Sequence, residues 1–329
     1  MRIPHTKAAK AATQGERMVK FRFLFLCLIA ALLTGCDDRR PDQPLIEDVS
    51  PEKPELDSAN AATPPLDADN SVTFSFAVVP QFGTLHFAKV WQPLIRDLEA
   101  RTSLKINLIA TPSIPDFETG FSEGRFDFAY MNPYHYICAK RDQGYQPLLR
   151  DQSKQLKGIL VVREDSEIEI LEHLHNAKIA FPAPNALGAS LYLRALLDRE
   201  HGIAFTPVYV NSHDSVYLNV VANQTIAGGG VKRTLSSQRE NIQKQLRVIY
   251  ETPGVAPHPI VFHPRVKAEI AKQVFDAIVG MSKSATGQEL LGQVPLLQPG
   301  PAIDEDYQTL TELNLETYYV APDAETGAS

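Results

Sequence analysis

The sequence predicts an α/β protein in which strands and helices alternate along the chain, and three observations predict it. Short apolar runs rich in Val, Ile, Phe and Tyr recur from residue 72 onward, stretches with apolar residues at helical spacing separate them, and polar turn-rich segments close several of the runs. About 255 residues are available for this part, enough for one doubly wound sheet or for two smaller α/β lobes, and composition does not decide between them.

The first unit opens with the β-rich run Val72–Val79, followed by Phe87, Val90, Trp91, Leu94, Ile95 and Leu98 on one helical face. Further strands are expected at Lys105–Ala110, Phe126–Met131, Gly158–Val162, Lys178–Phe181, Phe205–Val210, Arg247–Tyr250 and Pro259–Phe262. Helices are expected over Ser190–Arg199, Val216–Ala222 and Val266–Ser282.

Ahead of this part, Lys20 and Arg22 precede the apolar run Phe23–Leu33, which is too short for a mature membrane span and suits the core of a signal peptide over residues 1–35. Met18 is an alternative start. The run ends in Leu33-Thr34-Gly35-Cys36, which resembles a bacterial lipobox, so Cys36 is expected to carry lipid. Asp37 resembles the inner-membrane retention signal of enteric-type lipoproteins, which places the chain on the periplasmic side of the inner membrane, lipid-anchored. Residues 37–70 carry ten Asp/Glu, three Lys/Arg and six Pro with few large apolar residues, and read as a disordered tether.

Of the three cysteines, Cys27 leaves with the signal and Cys36 takes lipid, so Cys138 has no partner for an intrachain disulfide. The formal charge is −7, and removing the +5 carried by residues 1–35 leaves −12 for the rest, which argues against a nucleic-acid partner. The histidines form no zinc pattern: His173 and His175 are two apart and on a helix would face different ways, so no metal and no cofactor is expected.

Four segments each follow a predicted strand, where open α/β sheets place ligands: Pro80-Gln81-Phe82-Gly83, Tyr130-Met131-Asn132-Pro133-Tyr134, Phe181–Ser190 and Asn211-Ser212-His213-Asp214-Ser215. Asn185–Ser190 contains Gly188 and small residues just before a helix, so its backbone N–H groups can converge on an anion, with the Ser190 hydroxyl as a further donor. An ordinary N-cap is the alternative. His213 beside Ser212 and Asp214 invites a triad reading, but no Gly-x-Ser-x-Gly elbow surrounds any serine, and Asp214 has a second role open to it as a helix cap. The chain is not expected to be an enzyme.

In the order and spacing of these segments, and of Thr252–Pro259 later, the chain resembles the phosphate/phosphite/phosphonate-binding family of periplasmic solute-binding proteins, with its arsenite-sensing relatives, over residues 72–320. The resemblance implies a two-lobed type II periplasmic binding protein, each lobe a mixed sheet flanked by helices, with the ligand in the interlobe cleft. Lobe one would comprise residues 71–163 and 253–320, lobe two 164–252, and 321–329 a disordered tail.

It further implies a monomer that binds a small oxyanion and hands it to an ABC permease. The alternative is a ligand-sensing accessory, for a phosphorus oxyanion or arsenite, to the periplasmic domain of a membrane histidine kinase. The expected ligand set is Gln81, Phe82, Tyr130 and Asn132 from lobe one with Asn185, Gly188, Ala189, Ser190, Ser212, His213, Arg233 and His258. In relatives that bind aminoalkylphosphonates, carboxylates match Arg233 and His258. Two potential cations there imply a fully anionic ligand, the alternative being that Arg233 faces solvent and His258 stiffens a hinge. Cys138 would keep arsenite possible if it faced the cleft; a buried, inert thiol is the other reading.

Overall fold

The structure, a computed structural model, describes residues 72–321. The expected signal peptide, the Cys36 lipidation site, the acidic tether and all but the first residue of the expected tail lie outside the described residues.

The described strands are β1 (Thr73–Val78), β2 (Lys105–Ala110), β3 (Phe128–Tyr130), β4 (Gln146–Asp151), β5 (Gly158–Arg163), β6 (Lys178–Phe181), β7 (Thr206–Tyr209), β8 (Ala227–Val231), β9 (Leu246–Glu251), β10 (Ile260–Phe262) and β11 (Pro299–Pro301). The helices are α1 (Thr84–Thr102), α2 (Ile114–Ser122), α3 (Pro133–Gln143), α4 (Tyr192–Arg199), α5 (His213–Val221), α6 (Lys232–Ser236), α7 (Glu240–Gln243), α8 (Ala268–Met281), α9 (Ala285–Gln293) and α10 (Glu305–Glu312).

They form two sheets, in the orders β11-β4-β10-β3-β1-β2 and β7-β6-β8-β5-β9. In the first, β1 lies between β2 and β3 and is parallel to both. In the second, β6 lies between β7 and β8 and is parallel to both. The chain therefore leaves β1 to one side and returns on the other, and does the same around β6. Each sheet has a topological switch point, one at the end of β1 and one at the end of β6, and a crevice opens at such a point.

Local sequence explains the elements that frame these crevices. The helical stripe read from the sequence is the buried face of α1: Val90, Trp91, Leu94, Ile95 and Leu98 all face inward. Asn132 caps α3, its Oδ1 accepting from the His135 N–H at 2.8 Å, and Pro133 opens the helix where no N–H is needed. Ser212 caps α5 in the same way, accepting from the Ser215 N–H at 3.1 Å.

The turn after β6 is a wide π turn over Leu187–Leu191, with the Leu191 N–H reaching the Ala186 carbonyl at 3.2 Å, five residues back. It lies directly on the second sheet. A Cβ at Gly229 would sit 2.1 Å from the Ala189 carbonyl oxygen, and one at Gly158 would sit 2.0 Å from that of Gly188. Glycine is what lets the turn approach.

The sequence expectation misses β4, β8 and β11. Strand β8 reads Ala-Gly-Gly-Gly-Val and carries no β-branched signal before its last residue, because its glycines serve the close packing of the π turn and α5. The lobe boundary also moves. The expectation assigns residues up to 163 to lobe one, but β5 pairs antiparallel with β8 and β9 in the second sheet. The crossings lie earlier and later than that: Leu156 and Val255 bridge antiparallel, with backbone bonds of 2.9 and 3.0 Å, so the two crossing segments pair with each other.

Candidate functional site

The ends of β1 and β3 bring Gln81 and Tyr130 together with His258, which precedes β10. Tyr130 is buried between two rings, Trp91 of α1 at 5.0 Å and His258 at 5.2 Å, the latter stacked at 19°. Gln81 Nε2 lies 3.1 Å from His258 Nε2. From the second lobe Arg233, just past the end of β8, lines one cavity with Gln81, Tyr130 and His258. Its Nη2 donates to the Gln293 carbonyl of α9, which ties the two lobes on this side. Its buried Nε has no partner, nor does the buried Nδ1 of His213.

The electrostatics of the cluster follow from burial. The Tyr130 hydroxyl is pushed far above its ordinary range by burial, with the Arg233 charge opposing. Burial lowers Arg233. His258 is pushed down to about 3 by burial, helped by His135 and His213, and His213 is pushed down to about 4 by burial against the opposing charge of Asp214. The expectation of two cations is therefore corrected at His258. It is a neutral imidazole, whose Nε2 can accept from the Gln81 amide in the Nδ1–H tautomer, and Arg233 alone supplies charge in this cluster.

Beside it is a smaller cavity of about 130 Å³, lined by Gln81, Phe82, Thr111, Ser113, Asn211 and Ser212 among others. Thr111, the first residue past β2, has a buried hydroxyl without a partner. The sequence reading omits it, although the signal was available: a polar residue directly after a strand next to the switch point. Phe82 packs against His86, ring centroids 4.6 Å apart.

The turn Asn185–Ser190 departs from its expected role. Asn132 Nδ2 donates across the lobes to the Asn185 carbonyl at 3.1 Å. The Asn185 side chain donates to Glu118 Oε2 at 3.1 Å and to the Val320 carbonyl at 2.7 Å, and accepts from the Val320 N–H at 3.0 Å. Ser190 Oγ accepts from Arg194 Nε at 3.2 Å. Gly188 and Ala189 are buried, and Ala186, Leu187 and Ala189 join the apolar cluster of the first lobe. None of Asn132, Asn185, Gly188, Ala189 and Ser190 lines either cavity. The reason is physical: apolar side chains bring the lobes into contact here, and the polar groups left in the contact satisfy one another.

Cys138 sits in α3, buried, its thiol pushed up to about 12 chiefly by burial. A protonated thiol packed beside Tyr319 does not face the cavities. Among the described residues no cluster of His, Cys, Asp and Glu is arranged to hold a metal ion.

The larger cavity measures about 1090 Å³ and runs from this cluster along the crossing segments. It is lined by five cations, Arg150, Lys154, Lys157, Lys232 and Arg233, and three carboxylates. All three carboxylates are engaged. Asp306 takes Arg150 through two bonds of 2.7 and 2.9 Å, Glu251 takes Lys157 at 2.8 Å and also Lys232, and Asp151 accepts from the Ser153 and Leu297 N–H groups. Such a site attracts anions.

Comparison with known proteins identifies the family and the fold. Residues 76–307 match the profile of the family described as ABC transporter, phosphonate, periplasmic substrate-binding protein. The phosphate-import protein PhnD of Mycolicibacterium smegmatis is 22% identical over 211 residues, a match covering 56% of this chain and 64% of that protein. A binding protein component of an ABC phosphonate transporter from Pseudomonas aeruginosa has the same fold, with a TM-score of 0.69 at 15% identity over 79% of this chain and 91% of that one. The methylphosphonate complex of PhnD1 from Prochlorococcus marinus gives a TM-score of 0.69 at 16% identity, covering 75% and 99% of the two chains.

Proposed function

This chain belongs to the family of periplasmic substrate-binding proteins of phosphonate ABC transporters, and from that premise we propose that it captures a ligand bearing a tetrahedral phosphorus oxyanion and delivers it to an ABC permease. Phosphate, phosphite and simple phosphonates are the smallest members of that class. The observation that carries the reading is Arg233, whose buried, unpartnered Nε sits where the two lobes meet, in one cavity with Gln81, Tyr130 and His258.

A guanidinium presents parallel N–H donors that match an oxyanion, and neutral imidazoles add directional hydrogen bonds without competing charge. The Thr111 hydroxyl, in the smaller cavity beside this cluster, is a further buried group in want of a partner, whereas His213 lines neither cavity. A ligand ammonium would find no free carboxylate among those lining the cavity, so aminoalkylphosphonates bind poorly. The paired crossing segments at Leu156 and Val255 act as the hinge, and the ligand favours the closed arrangement by binding both lobes at once. The protein works as a monomer, held at the periplasmic face of the inner membrane by lipid on Cys36.

Thermal unfolding of the full chain against phosphate, phosphite, methylphosphonate, aminoethylphosphonate, arsenite and sulfate tests this, because a ligand that binds only the folded state raises the midpoint. At least one of the first three should raise it, and Arg233→Gln should abolish the rise. No shift with any phosphorus oxyanion would end the proposal. Replacing Cys36 by Ser should release the chain from membranes; retention would contradict the anchor.

A further inference from the structure

We infer that residues 314–320 form a strap that holds the two lobes together through the protein's own contacts, so that ligand entry waits for the strap to leave the second lobe. The inference rests on the oxyanion reading above and concerns how that cleft opens.

The strap is rooted in the first lobe. Just before it, α10 is fixed there: Arg150 takes Asp306 through two bonds, and Tyr307 packs on Tyr136 at 5.1 Å while its hydroxyl donates to the Pro257 carbonyl at 3.2 Å. Within the strap Leu315 is fully buried, and Tyr319 packs on Tyr134 of α3 at 5.6 Å and hydrogen-bonds to Cys138.

Its grip on the second lobe is polar, and falls on α4 and the turn before it. Arg194 donates to the Tyr318 carbonyl at 2.7 Å, and the Tyr318 hydroxyl donates to Asp198. Arg199 donates to the Asn314 carbonyl at 3.4 Å and lies over the Tyr318 ring, 5.6 Å from its centroid. Asn185 pairs with both backbone groups of Val320, at 2.7 and 3.0 Å. With Asn132 on the Asn185 carbonyl and Arg233 on the Gln293 carbonyl, these bonds join the lobes directly.

The two ends of the strap differ in strength. Asp198, Arg199 and Asn314 are exposed, so water can replace their bonds at small net cost, whereas the buried root would have to expose apolar surface. The end on the second lobe is therefore the one that opens. Ligand access needs that opening, because the Arg233 Nε and Tyr130 are buried and are reached only when the lobes part.

The test is the full chain carrying Arg199→Ala and Tyr318→Ala together, which weakens the grip and spares the root. In stopped-flow Trp91 fluorescence with phosphate and methylphosphonate, the association and dissociation rates of whichever anion binds should each rise threefold or more while Kd stays within threefold. Loosening the strap raises the open fraction through which both entry and exit pass. Unchanged rates, or weaker binding at an unchanged association rate, would overturn the strap and leave the oxyanion reading intact. Small-angle scattering without any anion reads the strap independently: the double variant should have a larger radius of gyration than the wild type, and an equal radius would overturn the inference. A larger radius in a protein that binds neither anion would leave the strap standing and end the oxyanion reading.

Discussion

At the scale of single residues, burial without partners sets the chemistry. His213 and His258 are held neutral, at about 4 and about 3, because the folded chain offers a proton there no water and, at His258, two further imidazoles. Both lie below the ordinary histidine range of about 6.5. Between pH 6.5 and 4 the unfolded chain therefore takes up protons that the folded one refuses, so their contribution to stability is whole above pH 6.5 and is lost as the pH falls through that window. Thermal midpoints measured from pH 7 to 4.5 should fall, and His258→Gln should make the fall shallower. An unchanged slope would contradict the assignment. Arg233 acts in the opposite sense, a cation kept at the cleft although burial lowers its pKa. In the proposed function, negative charge on the ligand offsets that burial.

At the scale of elements, the π turn over Leu187–Leu191 and the segment after α10 explain each other. The turn lies on glycines of β5 and β8, and its neighbour Asn185 is clasped by the backbone of Val320 at the far end of the chain. Gly229→Ala should lower the urea midpoint by the equivalent of about 3 kcal/mol, the upper end for an added methyl that meets backbone. Asn185→Ala should cost about 2–4 kcal/mol, because a buried Glu118 oxygen loses a partner at roughly 1–3 kcal/mol and the part-buried Val320 N–H loses a net hydrogen bond of about 1 kcal/mol. Wild-type midpoints in either variant would refute this account of the turn. The same element shows where the sequence stops being legible. Small residues before a helix read as backbone N–H groups free to converge on an anion, but the turn packs on the protein's own sheet, and the partner that uses up Asn185 lies 135 residues away. Local spacing holds no trace of so distant a bond. The stripe on α1 was legible because its cause lies within a few turns, whereas Asn132 and Ser212 were read as ligand contacts and the cap of α5 was offered to Asp214, which lies instead in the first turn.

At the scale of the whole molecule, the two sheets repeat one arrangement, a central strand flanked on both sides by parallel strands, and the candidate site gathers residues past the ends of β1 and β8 with the end of β3. Gln81 and Tyr130 were picked out in sequence because they lie in turns after predicted strands, whereas Arg233, which follows the unpredicted strand β8, was picked out only through the resemblance to a known family. The lobe boundary was not legible, because β5 is apolar like any central strand and only pairing assigns it to the second sheet. The molecule also carries its own reporter. Its single tryptophan, Trp91, packs 5.0 Å from Tyr130, whose other face stacks on His258. Titrating the full chain with phosphate, methylphosphonate and glycerol 3-phosphate while recording Trp91 fluorescence tests most directly whether this cluster is the site of oxyanion capture. A saturable change with at least one of them, absent with sulfate and lost in Arg233→Gln, is the result this account predicts; fluorescence indifferent to all three, or a response that survives loss of Arg233, would contradict it.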